Sequence, residues 1–280
     1  MESLNRKFDR GEDILLVRTA SLGDVISVEP VVRALKRSGY RNVYVDAGSY
    51  APVFENNPFV SPVQDVPCGV KTVSLMNTYE NELHLLREHV YLRKAGVELP
   101  NEELLPRIYL SDDERAYGKR QLCGGDWIII DPGYPMQLDG RYLRGRLNGE
   151  DKIWQRAFWS EAEWGRLIQK LKSNGFMIVQ IGNMNGVGTL PDVDLDLSGR
   201  TGIRQLFSII SAASFFVGME SGPMHVAQAL GVPGVAIFHP NNPESGLKPF
   251  GSKIHAVYRN SGDLMNEDEL FEKFNRLMVS

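Results

Sequence analysis

Apolar positions along the chain fall in short runs separated by longer amphipathic stretches. "ILLV" at 14–17 is followed by a helical pattern over 25–37 and then by "NVYVDA" at 42–47. That alternation is the rhythm of βαβ units closing a parallel sheet. Helical patterns over 83–95 and 112–122 follow, and the second runs into "CGGD", whose paired glycines read as a breaker between domains. The rhythm then restarts. "WIIID" precedes a helix over 161–173, "FMIVQIG" a helix over 202–213, "FFVGM" a helix over 223–230, and "GVAIF" closes the series. In the tail "NEDELFEKFNRLMV", Leu270, Phe274 and Leu277 stand at helical spacing. The pattern predicts an α/β protein of two doubly wound parallel-sheet domains, 1–124 and 125–280. A length of 280 residues suits that division, since domains usually hold ~100–150 residues.

Composition narrows the function classes. Lys plus Arg number 31 against 35 Asp plus Glu, a formal charge of −4, so broad attraction to nucleic acid is not expected and any anion site must be local. Cys68 and Cys123 stand far apart with no CxxC or Cys/His spacing, which argues against a disulfide framework or a structural zinc and for a reducing compartment. The opening "MESLNRKFDRGED" is charged, so neither a signal peptide nor an anchor is expected. No apolar run approaches the roughly 18 residues of a spanning helix. The expectation is a cytoplasmic protein with no integral membrane segment, peripheral membrane contact being left open.

One connection departs from the short-loop norm. Residues 133–158 carry Arg141, Arg144, Arg146, Lys152 and Arg156 without a clear period, and connections beyond ~12–15 residues are usually functional or disordered. A solvated excursion and a basic lid over an anionic substrate are both open readings.

The candidate chemistry sits in two turns, each following an expected strand and opening an expected helix, where doubly wound sheets bind ligands. In "GMESGPMH" (218–225), Ser221 or Gly222 can cap, Pro223 suits the first helical turn, and the exposed N–H groups and dipole favour a diphosphate. His225 falls in that first turn, within reach of a phosphate or sugar, although a lone histidine more often serves a surface or core role. In "TASLGD" (19–24), Asp24 could be an ordinary N-cap. The same helix start would also hold its carboxylate ionised and available as a general base, and Gly23 would let a substrate approach the backbone. The expectation is an unhindered carboxylate facing an interdomain cleft. No Cys, His or Asp cluster has metal-ligand spacing, and neither turn reads G-x-G-x-x-G as a dinucleotide dehydrogenase would require.

Together the segments "ILLVRTASLGDVISVEPVVRAL" and "FFVGMESGPMHVAQALGVPGVAIFHPNNPESGLKPFG" resemble the two signatures of glycosyltransferase family 9, the ADP-heptose:lipopolysaccharide heptosyltransferases and their relatives. "ENNPFV" and "YLRKAGVEL" extend the resemblance through the first half. It implies a GT-B architecture, two Rossmann-like domains facing across a cleft, with the acceptor on the N-terminal side and a nucleotide-sugar on the C-terminal side. It also implies inverting, metal-independent transfer, without a cofactor, from an ADP-linked donor to a glycan or glycolipid hydroxyl. On this resemblance Asp24 is the base, and Ser21 and Gly23 line the substrate. Glu220 would bind sugar hydroxyls, the backbone of Ser221 and Gly222 would bind the diphosphate, and His225 would lie nearby. A lysine two residues before a tryptophan would meet the leaving diphosphate. Lys152 has that spacing to Trp154, whereas Arg156 precedes Trp159, whose distance to Trp164 also fits, and both cations stay open. Glu220 replaces the family's usual Asp, "NMNGVG" lacks an acid that often holds the ribose, and "HPNNP" replaces Gly-Pro-Thr-Asp-Pro. A nucleotide-sugar hydrolase or epimerase on the same scaffold and a non-catalytic nucleotide-sugar-binding protein are the alternatives.

Overall fold

Strand β1 (Asp13–Val17) buries Ile14 and Leu16, and it is flanked in parallel by β2 (Asn42–Asp46) and β3 (Lys71–Ser74), giving the order β2-β1-β3. The computed structural model describes residues 11–78, 82, 85–133, 143–147, 150–154, 160–182, 188–238, 253–258 and 267–279. Between β1 and β2 the chain forms α1 (Leu22–Ile26) and α2 (Glu29–Arg37) rather than one helix over 25–37. Pro30 is the cause. It has no N–H for the carbonyl of Ile26 and its ring would crowd that carbonyl, whereas in the first turn of a new helix both defects are harmless. After β3 come α3 (Arg87–Ala95), closed by Gly96 at φ 73°, and α4 (Asp112–Gln121), opened by a reciprocal Ser111–Glu114 capping box.

The second sheet is built from β4 (Trp127–Asp131), β7 (Met177–Gln180), β8 (Leu195–Asp196), β9 (Phe215–Met219), β10 (Gly234–Phe238) and β11 (Ile254–Tyr258), all parallel, in the order β11-β10-β9-β4-β7-β8. Strands β4, β9 and β10 are buried at every position, as continuous apolar runs covered on both faces should be. On one face α5 (Glu161–Ser173) and α8 (Glu267–Val279) bring Trp164, Leu167, Leu270 and Phe274 against Ile128, Ile130 and Phe215. The other face carries α6 (Ile203–Ala212) and α7 (Gly222–Leu230), and the apolar cluster there continues without a break into the core of the first sheet. Helix α4, which precedes Gly124, packs on α6.

Within 133–158 the structure describes Gly133, 143–147 and 150–154. The last two form an antiparallel hairpin, β5 (Leu143–Leu147) paired with β6 (Glu150–Trp154). The sequence signal was Asn148-Gly149, the dipeptide best suited to a two-residue hairpin turn, standing between the two strands. Among the described residues no helix is long and apolar enough to cross a membrane.

In both sheets the chain leaves a central strand for one side and later returns on the other, so the crevices lie between β1 and β3 and between β4 and β9. The "TASLGD" turn follows β1 and the "GMESGPMH" turn follows β9.

Candidate functional site

At the end of β1, Ser21 takes φ 62° and ψ 128°, a region costly for a residue with a side chain, of order 1–3 kcal/mol. Ser21 occupies the N-cap position without a side-chain cap, so Asp24 is the third residue of α1 and not its N-cap. Nor is Asp24 unhindered. It is 5 % exposed, and each carboxylate oxygen is engaged by a guanidinium: Arg18 donates through Nη2 to Oδ2 at 2.5 Å, and Arg87 through Nη1 to Oδ1 at 2.7 Å. Arg18 is anchored besides, donating to the Leu75 carbonyl at 3.1 Å and lying 5.8 Å from the centre of the Tyr91 ring. Both arginines are 2 % exposed, so the two buried cations and the buried anion depend on one another.

In the second turn Ser221 is extended, and its hydroxyl caps nothing in α7. It donates instead to Asp131 Oδ2 at 2.6 Å, while Asp131 Oδ1 accepts the Gly133 N–H at 3.2 Å. This bond spans the β4/β9 crevice and fixes the approach to α7. It also commits the Ser221 hydroxyl, so an anion at this helix start would meet backbone N–H groups, of which Pro223 has none.

The two turns touch. A Cβ on Gly23 would lie 2.4 Å from His225 Cδ2, which leaves no room for a side chain, and one on Gly222 would lie 3.1 Å from Leu22 Cβ, a tight fit. His225 is buried, and burial, then the Arg87 charge, push its pKa down to about 3. The ring is therefore neutral. Arg87 Nη2 lies 3.4 Å from its Nε2 and Gln228 Oε1 lies 3.3 Å from its Nδ1, so the tautomer consistent with both carries the proton on Nδ1. Glu220 Oε1 is 4.0 Å from Nε2, a proximity and not an ion pair, since a neutral ring offers that carboxylate no charge. Glu220 is itself buried.

Of the residues singled out in sequence, Ser21, Gly23, Asp24, Glu220, Ser221, Gly222 and His225 thus meet in one place. Lys152 lies on β6, paired with Gly145 on β5. Arg156 and Trp159 fall outside the described residues. Sequence reasoning missed Arg18, Arg87 and Asp131. An acid closing the apolar run "WIIID" was a signal for Asp131; Arg87 had none, since only the fold brings α3 to this point. Among the described residues no group of three or more His, Cys, Asp or Glu side chains is disposed to hold a metal ion.

Comparison with known proteins bears on this arrangement. Lipopolysaccharide heptosyltransferase 2 of Escherichia coli is 26 % identical over 164 residues, a match covering 55 % of this chain and 43 % of that protein. A family 9 glycosyltransferase from Veillonella parvula superposes with a TM-score of 0.71 at 14 % identity, covering 99 % of both chains. The E. coli ADP-heptose lipopolysaccharide heptosyltransferase II superposes with a TM-score of 0.62 at 17 % identity, covering 95 % of this chain and 98 % of that one. These structural likenesses establish the fold, a GT-B arrangement of two parallel-sheet α/β halves. The model of glycosyltransferase family 9 (heptosyltransferase) matches residues 76–270, most of the chain and all of the second turn. With that match and the shared fold, the chain belongs to glycosyltransferase family 9.

Proposed function

We propose that the protein is an inverting, metal-independent glycosyltransferase that moves a heptose or similar sugar from an ADP-linked donor to a hydroxyl of a glycan or lipopolysaccharide core. The observation that carries this reading is the contact between the two turns, which puts Asp24 one guanidinium away from the start of α7. Residues 125–280 would hold the donor, with Glu220 on sugar hydroxyls and the N–H groups of Ser221 and Gly222 toward the diphosphate. Residues 1–124 would hold the acceptor beside Ser21 and Gly23. Asp24 would take the proton of the attacking hydroxyl as its oxygen bonds to the anomeric carbon, and the electron pair of the breaking bond would leave with the nucleoside diphosphate. Lys152 or Arg156 would meet the charge that grows there, so no metal is required for that role. On this reading the protein would work in the cytoplasm, where it would meet a nucleotide-sugar donor.

The test is incubation with ADP-heptose and a lipopolysaccharide core acceptor in EDTA, followed by product analysis by NMR. A heptosylated acceptor with inverted anomeric configuration supports the proposal. Free sugar released equally without acceptor indicates a hydrolase, and activity lost to chelation and restored by magnesium or manganese overturns metal independence.

A further inference from the structure

The surroundings of Asp24 stand against its acting as a base while both arginines hold it. Each Asp24 oxygen already accepts from a buried guanidinium and the residue is itself buried, so an acceptor hydroxyl has little room to reach either oxygen while both arginines stay in place. Withdrawal of one arginine would open an oxygen to that hydroxyl.

The two are not equivalent. Arg18 stands immediately beyond β1 and is held by Asp24, the Leu75 carbonyl and the Tyr91 ring, all within the first half of the chain. Arg87 comes from α3, holds Asp24 Oδ1 with Nη1, and extends Nη2 across to His225 in the first turn of α7. That second bond is long, and its acceptor is a neutral ring. Among the described residues, the groups beside this cluster include Glu88, which accepts from the hydroxyl of Ser27 on the following turn at 2.6 Å, Tyr91 on α3, and Glu220 beside His225. None of these is a cation that could take over from Arg87 at Oδ1.

We infer that Arg87 is a donor-binding residue which exchanges Asp24 for the donor diphosphate, so that donor binding is what opens Oδ1 to the acceptor hydroxyl. A diphosphate at the start of α7 brings several negative charges beside Nη2, and a guanidinium fork matches phosphate oxygens better than it matches one carboxylate oxygen and an imidazole. Once it turns, Oδ1 is open to the acceptor hydroxyl. Arg87 then faces the oxygen that receives the electron pair of the broken sugar–phosphate bond. Arg18 keeps Oδ2 and with it the orientation of the carboxylate. Proton transfer would then wait on the donor, because Oδ1 is not opened until the diphosphate arrives.

The inference rests on the donor reading, and calorimetric titration separates the two. ADP and AMP are titrated into wild type, Arg87→Met, Arg87→Lys and Asp24→Asn, with melting curves recording that each is folded at the assay temperature. Arg87→Met is expected to weaken ADP by roughly 10–100-fold, the loss of a charge-assisted pair, while AMP changes little, and Arg87→Lys to recover part of the ADP affinity. Asp24→Asn removes the competitor for Arg87 and is expected to tighten ADP several-fold, an outcome that mere support of the site by Arg87 would not produce. An unchanged ADP-to-AMP ratio in Arg87→Met overturns the inference even if Asp24→Asn fails to fold. So does a folded Asp24→Asn that binds ADP no tighter than wild type. If wild type binds neither ADP nor ADP-heptose, the donor reading falls and the exchange with it. If wild type binds and transfers heptose while the ratio stays unchanged, only the exchange falls.

Discussion

Asp24 is unusual less for its position than for its company. In an exposed turn its replacement by Asn would cost little, whereas here it leaves two buried guanidinium groups short of a counter-charge. Asp24→Asn is therefore expected to lose about 3–5 kcal/mol of stability, measured by denaturant titration. Turnover should fall by ~10²–10⁴-fold at temperatures where the variant remains folded. A stable variant with near wild-type turnover would reduce Asp24 to an ordinary first-turn acid. Gly23 tests the contact between the turns from the other side. A methyl group there meets the His225 ring at 2.4 Å, so Gly23→Ala should cost about 1–3 kcal/mol as the turns part. It should also impair donor binding, although the methyl group itself adds no charge.

At the scale of elements, α6 is bolted to the segment that precedes Gly124 by Arg204. Its guanidinium donates to both oxygens of Glu114 at 2.6 and 2.7 Å, to the Tyr109 carbonyl at 2.7 Å and to the Pro52 carbonyl at 3.1 Å. Glu114 also closes the capping box of α4, so one carboxylate serves a helix start and a contact between helices. Arg204 hydrogen bonding holds the Glu114 pKa down to about 2. A carboxylate depressed in the folded state contributes stability above its ordinary range and loses it as pH falls from about 4.5 toward 2. Glu114→Gln should therefore flatten the acid side of the stability profile, read from melting temperatures between pH 5 and 3, and a profile unchanged from wild type would remove this pair from the account. The β5–β6 hairpin poses a question of another kind, since its strands carry Lys152 while Arg156 follows. One of Lys152→Ala and Arg156→Ala is expected to lose roughly 2.7–4 kcal/mol of transition-state stabilisation, seen as lower kcat with donor affinity preserved, and the other to stay nearly silent. If both retain full kcat, the hairpin takes no part in neutralising the leaving group.

For the whole molecule, the deciding feature is that one apolar cluster runs from Ile14 and Leu16 of β1 to Ile129, Phe216 and Ala236 of the second sheet. Halves joined through a large apolar contact do not separate freely, unlike domains that meet over a small polar interface. We expect urea unfolding in a single transition. The four tryptophans, Trp127, Trp154, Trp159 and Trp164, all lie beyond Gly124, so their fluorescence is weighted to the second half, while far-ultraviolet circular dichroism reports both. Coincident transitions support one cooperative unit; separated ones would show that residues 1–124 and 125–280 unfold independently.

What was legible in the sequence is what short stretches determine. The alternation of apolar runs with amphipathic stretches announced parallel α/β halves, because strand and helix periods are local properties. "TASLGD" and "GMESGPMH" announced helix starts after strands, because turn, cap and proline preferences act over a few residues. Even the break at Pro30 and the pairing of β5 with β6 had local signals, although the periodicity alone hid them. Tertiary structure decided the rest. Arg87 reaches Asp24 over 63 residues and His225 over 138, and Ser221 reaches Asp131 over 90. Such contacts carry no periodic signature, since they follow from how α3, β4 and β9 pack and not from any residue's neighbours in the chain. Burial is likewise a property of the packed molecule: it turns Asp24 from a carboxylate in a turn into one whose two oxygens are both spoken for, and it keeps His225 neutral beside a cation.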